Sequence, residues 1–133
     1  MKLVVDANVL ISALIKNSGA RKVLLNPANE LYVPEYIVQE IYAYIDVISK
    51  KNGLSREENL RALEILLKYC KQVPPAFYLD KLGEAVKIMK RIDEKDAQYL
   101  ALAMSFQNDG ILSEDRHFEK QNVAKMWKIK DLI

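Results

Sequence analysis

The chain has one cysteine, Cys70, in 133 residues, so no intrachain disulfide can staple it, as suits a reducing compartment. It has one histidine, His117, so a cluster of metal ligands in this sequence draws mainly on carboxylate oxygen. No apolar run approaches the about 20 residues that cross a membrane, and no membrane partner is expected. A strand pattern begins at residue 2, which leaves no room for a leader peptide; the expected location is cytoplasmic. There is no low-complexity tract and no internal repeat. Charge of one sign is also scarce: the net charge is +2, too small to demand a nucleic-acid partner.

What is present is a length that fits one domain, residues 1–133, and 50% apolar residues, enough to build a core without staples. Residues 2–5 read as a strand, and residues 8–15 as a short helix with Val9, Leu10, Ala13 and Leu14 at helical spacing. Asn17-Ser18-Gly19 breaks it, and Ser18 is placed to cap a second helix to about Leu25. After the turn Asn26-Pro27-Ala28-Asn29 comes a strand, Leu31-Tyr32-Val33. Pro34 opens a long helix over 35–51 with the stripe Ile37, Ile41, Tyr44, Ile45 and Ile48, closed by Asn52-Gly53.

Ser55 and Glu58 form a capping box for a helix that carries Leu60, Leu63, Leu66, Leu67 and Cys70 on one face. Val73-Pro74-Pro75 stops it; Asp80 is placed to cap a helix over 81–91, and Asp93 one over 94–107. That last helix is apolar on nearly all sides from Ala97 on, which predicts burial. Asn108-Asp109-Gly110 turns into the strand Ile111-Leu112, a short helix follows Asp115, and residues 123–127 read as a final strand. Strands alternating with helical patterns predict an α/β fold: a three-layer α/β/α sandwich around a central parallel sheet.

Two of these strands end in carboxylates, Asp6 and Asp115, and the carboxyl edge of such a sheet is where ligands bind. Glu40 lies at the edge of its helix's apolar stripe, and Asp96 in the first turn of the buried helix. Four carboxylates brought together would repel and could not all stay ionised unaided. A hard divalent cation, Mg²⁺ or Mn²⁺ rather than zinc, resolves this. Each residue also has a plainer reading. Asp6 and Asp115 are placed to cap helices, Asp96 to complement a helix dipole, and Glu40 to face solvent. For Asp93 a cap is the favoured reading and a metal or water role the lesser one. Asn8 and Ser113 are supporting polar residues: Asn8 to orient Asp6, Ser113 to hold a water or a phosphate, or either to make local turn contacts.

Other residues carry less. His117, beside Phe118, reads as partly packed surface, Cys70 as inert core, and Asp109 as turn chemistry. The tyrosines from Tyr32 to Tyr44 read as core or dimer surface, and Trp127 as packing. Arg21, Lys22, Lys50, Lys51, Lys87, Lys90, Arg91, Lys95 and Arg116 are the candidates for a basic rim, though most read singly as ordinary solvated side chains.

The stretches VVDANVLISALI (Val4 to Ile15), the helix with Glu40, DEKDAQYLALA (Asp93 to Ala103) and ILSEDRHFEK (Ile111 to Lys120) together resemble the PIN-domain nuclease family. They span nearly the whole chain in the family's order. The resemblance implies a hydrolase that cuts single-stranded or looped RNA with Mg²⁺ or Mn²⁺ through metal-activated water. By position it assigns metal binding and catalysis to Asp6, Glu40, Asp96 and Asp115, with Asn8, Ser113 and Asp93 in support. It also implies VapC-type toxins of toxin–antitoxin pairs, a possible antitoxin protein as partner, and a homodimer.

Two other readings stand beside it. A phosphatase of the haloacid dehalogenase type needs a second Asp where this chain has Asn8, and a response-regulator receiver needs a different order of motifs. A PIN-like module that binds RNA or protein without catalysis is the main alternative. Against it, a dead site has no reason to keep buried like charges.

Overall fold

Strand β1 (Lys2–Val5) buries Leu3, Val4 and Val5 completely, as a strand covered on both faces must. The computed structural model describes residues 1–16 and 18–133. After β1 come helices α1 (Ala7–Ile15) and α2 (Ser18–Leu25), strand β2 (Glu30–Pro34), and helices α3 (Ile37–Ala43), α4 (Ile45–Asn52) and α5 (Arg56–Leu67). Strand β3 (Cys70–Val73), helix α6 (Pro75–Met89), a 3₁₀ turn (Glu94–Asp96) and helix α7 (Ala97–Met104) follow. The chain ends with β4 (Gly110–Leu112), a second 3₁₀ turn (Arg116–Lys120), β5 (Met126–Trp127) and a third turn (Ile129–Asp131). The expected break at Asn17 and the cap by the Ser18 side chain lie outside the described residues.

All strand pairings are parallel, in the order β3-β2-β1-β4-β5. This order sets the layers. The crossovers from β1 to β2 and from β2 to β3 step one way along the sheet, and the crossover from β3 to β4 steps back past β1. Crossovers of one hand therefore place α1–α5 on one face and α6–α7 on the other. The packing agrees: α1 contacts α2, α3, α4 and α5, whereas α6 packs on α7, and α7 lies against β1, β2 and β4. The central sheet of an α/β sandwich is thus as the sequence predicts. Between β1 and β4 the strand order reverses, and their carboxyl ends flank the crevice that such a reversal opens.

Several elements depart from the sequence reading. The helix expected over 35–51 breaks at Tyr44, whose backbone (φ −103°, ψ 3°) ends α3 and starts α4. The break keeps Ile37, Ile41, Ile45 and Ile48 buried but turns Tyr44, expected on the stripe, outward to 53% exposure. Gly53 closes α4 in the left-handed conformation (φ 75°), as expected. Cys70 is not on a helix but opens β3. This polar edge strand was hidden because only its ends are partly buried and it pairs with β2 alone. Burial pushes the Cys70 thiol up to about 12, so it is inert as read. The pair Pro74-Pro75 starts a helix rather than stopping one: Pro75 sits at its first position, where a missing N–H costs nothing, and Asp80 lies inside α6 rather than capping it.

The helix expected over 94–107 is a 3₁₀ turn followed by the shorter α7, and the last strand shrinks to Met126–Trp127. Gly110 is required where it stands. Its φ is 130°, and a Cβ there would collide with the Lys125 carbonyl oxygen.

Candidate active site

Register delivers the first two carboxylates. Val5 pairs with Leu112, and the Asp6 amide donates to the Leu112 carbonyl at 3.0 Å, so Asp6 and Ser113 leave adjacent strands side by side. Asp6 occupies the cap position of α1 but its side chain makes no capping hydrogen bond. Instead its Oδ2 accepts the Ser113 hydroxyl at 2.7 Å. Ser113, fully buried, is a junction: its Oγ also accepts from Asn8 Nδ2 at 3.2 Å and from the Asp115 amide at 2.9 Å. Its one proton and both lone pairs are used, so the expected hold on a water or phosphate gives way to a hold on Asp6 and Asp115. Asn8 acts on Asp6 only through Ser113, and its Oδ1 accepts the Glu114 amide at 3.3 Å.

The other carboxylates arrive from helices. Glu40, on α3, faces the cleft, while its neighbour Gln39 is exposed. Tyr99, buried in α7, donates its hydroxyl to Glu40 Oε1 at 2.7 Å. Asp96, 7% exposed, ends the 3₁₀ turn that leads into α7. Asp93 caps that turn, its Oδ1 accepting the Lys95 amide at 3.0 Å, as favoured from sequence. Asp115 caps as well, accepting the His117 amide at 2.9 Å, so capping and lining the cleft coexist in one side chain. Asp6, Asn8, Glu40, Asp93, Asp96 and Asp115 line one cleft of about 400 Å³, together with Tyr44, Val47, Lys51 and Lys95. Of the nine basic-rim candidates, Lys51 and Lys95 line it.

Its electrostatics are those of crowded, desolvated acids. Burial raises Asp6 to about 6, with Asp115 adding and the Ser113 hydroxyl opposing. Burial raises Asp96 to about 7, helped by the charges of Asp6, Asp93 and Asp115 and opposed by the contact with His117. Glu40 is raised by burial and lowered in part by Tyr99. The Tyr99 hydroxyl is itself pushed up by burial and by Glu40, which keeps its proton available to donate. Among the described residues no lysine or arginine forms an ion pair with any of the five acids. Such an oxygen-rich set of carboxylates fits a hard divalent cation.

Two residues that contact the carboxylates of this cleft were not legible as such. His117 is not merely packed surface: its Nδ1 lies 3.2 Å from Asp115 Oδ1 and 3.4 Å from both Asp93 Oδ2 and Asp96 Oδ2. The signal available was its place two residues after Asp115, in the same turn. Tyr99 follows Asp96 by three positions on a helix buried all round, where a tyrosine hydroxyl needs a polar partner.

In class, then, this is a parallel α/β protein with a carboxylate-lined cleft where its strand order reverses. The sequence model of the PIN domain matches residues 4–132, and the chain belongs to the PIN domain family. Among solved structures it is similar to a chain in the crystal structure of VapBC2 from Rickettsia felis bound to a DNA fragment from their promoter. The TM-score is 0.74 at 16% identity, covering 96% of this chain and 98% of that one. No curated protein matches the sequence. No helix among the described residues is long and apolar enough to cross a membrane.

Proposed function

We propose that this protein is a ribonuclease that hydrolyses single-stranded or looped RNA with Mg²⁺ or Mn²⁺, acting as the toxin of a toxin–antitoxin pair. The observation that carries the reading is the convergence of Asp6, Glu40, Asp96 and Asp115 in one cleft, with Asp6 and Asp96 buried and, among the described residues, no lysine or arginine ion-paired to any of the four. These four would hold the cation. When bound, Mg²⁺ or Mn²⁺ supplies Lewis acidity, acidifying water and offsetting the charge of a phosphodiester under attack. Ser113 and Asn8 fix the carboxylate of Asp6, and Tyr99 fixes that of Glu40. Lys51 and Lys95 at the cleft wall are placed to contact phosphates, so affinity should fall with salt. A recessed cleft favours unpaired RNA, because a duplex cannot bring its backbone inward. The likeness in fold to VapBC2 supports an antitoxin as partner.

The test is cleavage of a mixed RNA pool with Mn²⁺, with Mg²⁺ and with chelator. Cleavage should need the cation and fall to background in Asp6→Asn and Asp96→Asn. Equal cleavage in all three conditions, or undiminished cleavage by both variants, would overturn the reading.

A further inference from the structure

One nitrogen faces three carboxylates of the cleft. His117 Nδ1 lies 3.2 Å from Asp115 and 3.4 Å from Asp93 and Asp96. A single ring proton cannot be donated to three acceptors, and the distances exceed the about 2.7–2.9 Å of a charge-assisted hydrogen bond. They are close to the separation of neighbouring ligands on one ion: bonds of about 2.1 Å at right angles put ligand atoms about 3 Å apart. Asp93, Asp96 and His117 also offer ligand atoms that all lie within 4.8 Å of one another. Asp93 spends Oδ1 on capping its turn, which leaves Oδ2, the oxygen facing His117, for a ligand.

We propose that His117 is a nitrogen ligand in the cation site, sharing an ion with Asp93 and Asp96, and that it biases the site towards Co²⁺ over Mg²⁺. The chemistry follows from ligand type. Mg²⁺ is a hard ion that prefers oxygen and keeps its water, whereas imidazole suits the later transition metals. Coordination through Nδ1 puts the ring proton on Nε2. The backbone holds the ring in place, because the His117 amide donates to Asp115 and the adjacent Phe118 is fully buried. This inference rests on the cation site of the ribonuclease reading and assigns it a mixed donor set.

The experiment is calorimetric titration of the metal-free protein with Mg²⁺, Mn²⁺ and Co²⁺, beside the His117→Gln variant, with pulsed electron paramagnetic resonance of the Mn²⁺-loaded wild type. The wild type should show coupling of Mn²⁺ to a ¹⁴N nucleus. His117→Gln should lose that coupling and bind Co²⁺ about 10–100-fold more weakly, with Mg²⁺ affinity changed less than about 3-fold. Binding by the wild type without ¹⁴N coupling would overturn the proposal while leaving the ribonuclease reading intact. So would an equal loss for all three ions, which marks a positioning role, or a gain in affinity, which marks the ring as a place-holding cation. Failure of the wild type to bind any of the three ions would sink the cation site itself. The spectrum of the wild type decides the matter even if the variant folds poorly.

Discussion

Ser113 has one proton to give and two lone pairs to fill, and Asp6, Asn8 and the Asp115 amide take all three. Ser113→Ala would therefore strip a donor from a carboxylate that is 4% exposed and leave two donors facing a methyl group. Buried polar groups left unpaired cost about 1–3 kcal/mol, so a fall of that size is expected in chemical denaturation. Because the same hydroxyl aims Asp6, Mn²⁺ affinity should fall by about 10–100-fold, read by titration calorimetry. Lower stability with unchanged affinity would make Ser113 a purely structural residue. At this scale the sequence showed which residues end the strands but not which contacts they make. Asp6 read as a site carboxylate with a helix cap as the plainer alternative, and its side chain makes no capping bond. For His117 the sequence offered only its closeness to Asp115, since its partners Asp93 and Asp96 lie more than twenty positions away along the chain.

Helix α7 carries the site's reach across the molecule. It lies against β1, β2 and β4, and through Tyr99 it grips Glu40 on α3, from the other layer. Tyr99→Phe keeps the ring and its edge-on contact with Phe118 while deleting that grip. A stability loss of about 1 kcal/mol is expected by denaturation. Mn²⁺ affinity should drop about tenfold, since a ligand loses its orienting partner. No change in affinity would show that Glu40 orients itself without Tyr99. Elements with strong periodicity were legible: α1, α2, α5, the buried α7 and the central strands all lie near their expected positions. The misses share one cause, that local signals admit two outcomes. Two prolines end a helix or start one, and at Pro74-Pro75 the extended backbone of Pro74 (φ −72°, ψ 152°) makes it a start. The strand at Cys70–Val73 has too little burial to show alternation, and no glycine or proline marks the break at Tyr44.

For the whole molecule, the crowded, buried carboxylates of the cleft are a stability cost, one that a bound cation would remove. Asp6 and Asp96 are raised, chiefly by burial, from an ordinary 3.8 to about 6 and about 7. Between those limits the folded chain binds protons that the unfolded chain has already released. Folding is therefore favoured at low pH, and this contribution is lost as pH rises through about 6 to 7. For Asp6 the difference is worth up to about 3 kcal/mol, at about 1.4 kcal/mol per unit of pKa, and Asp96 acts in the same direction. Glu58 and Glu119 are lowered by their partners and act oppositely, but they titrate below this window. Metal-free protein in chelator should thus melt higher at pH 5 than at pH 8, by up to about 10 °C for a chain of this size. Mn²⁺ at about 100 times its dissociation constant should add about 2.7 kcal/mol at pH 8 and less at pH 5, where protons compete for the same oxygens. The slope with pH should then flatten or reverse. Asp96→Asn removes one of the crowded charges, so at pH 8 it should melt higher than wild type in chelator and gain little from Mn²⁺. Circular dichroism melts at pH 5, 6.5 and 8, with Mn²⁺ and with chelator, read all of these at once. A metal-free melting point that climbs from pH 5 to pH 8 would mean that the carboxylates are not held in the crowded, desolvated state from which the cation site was argued.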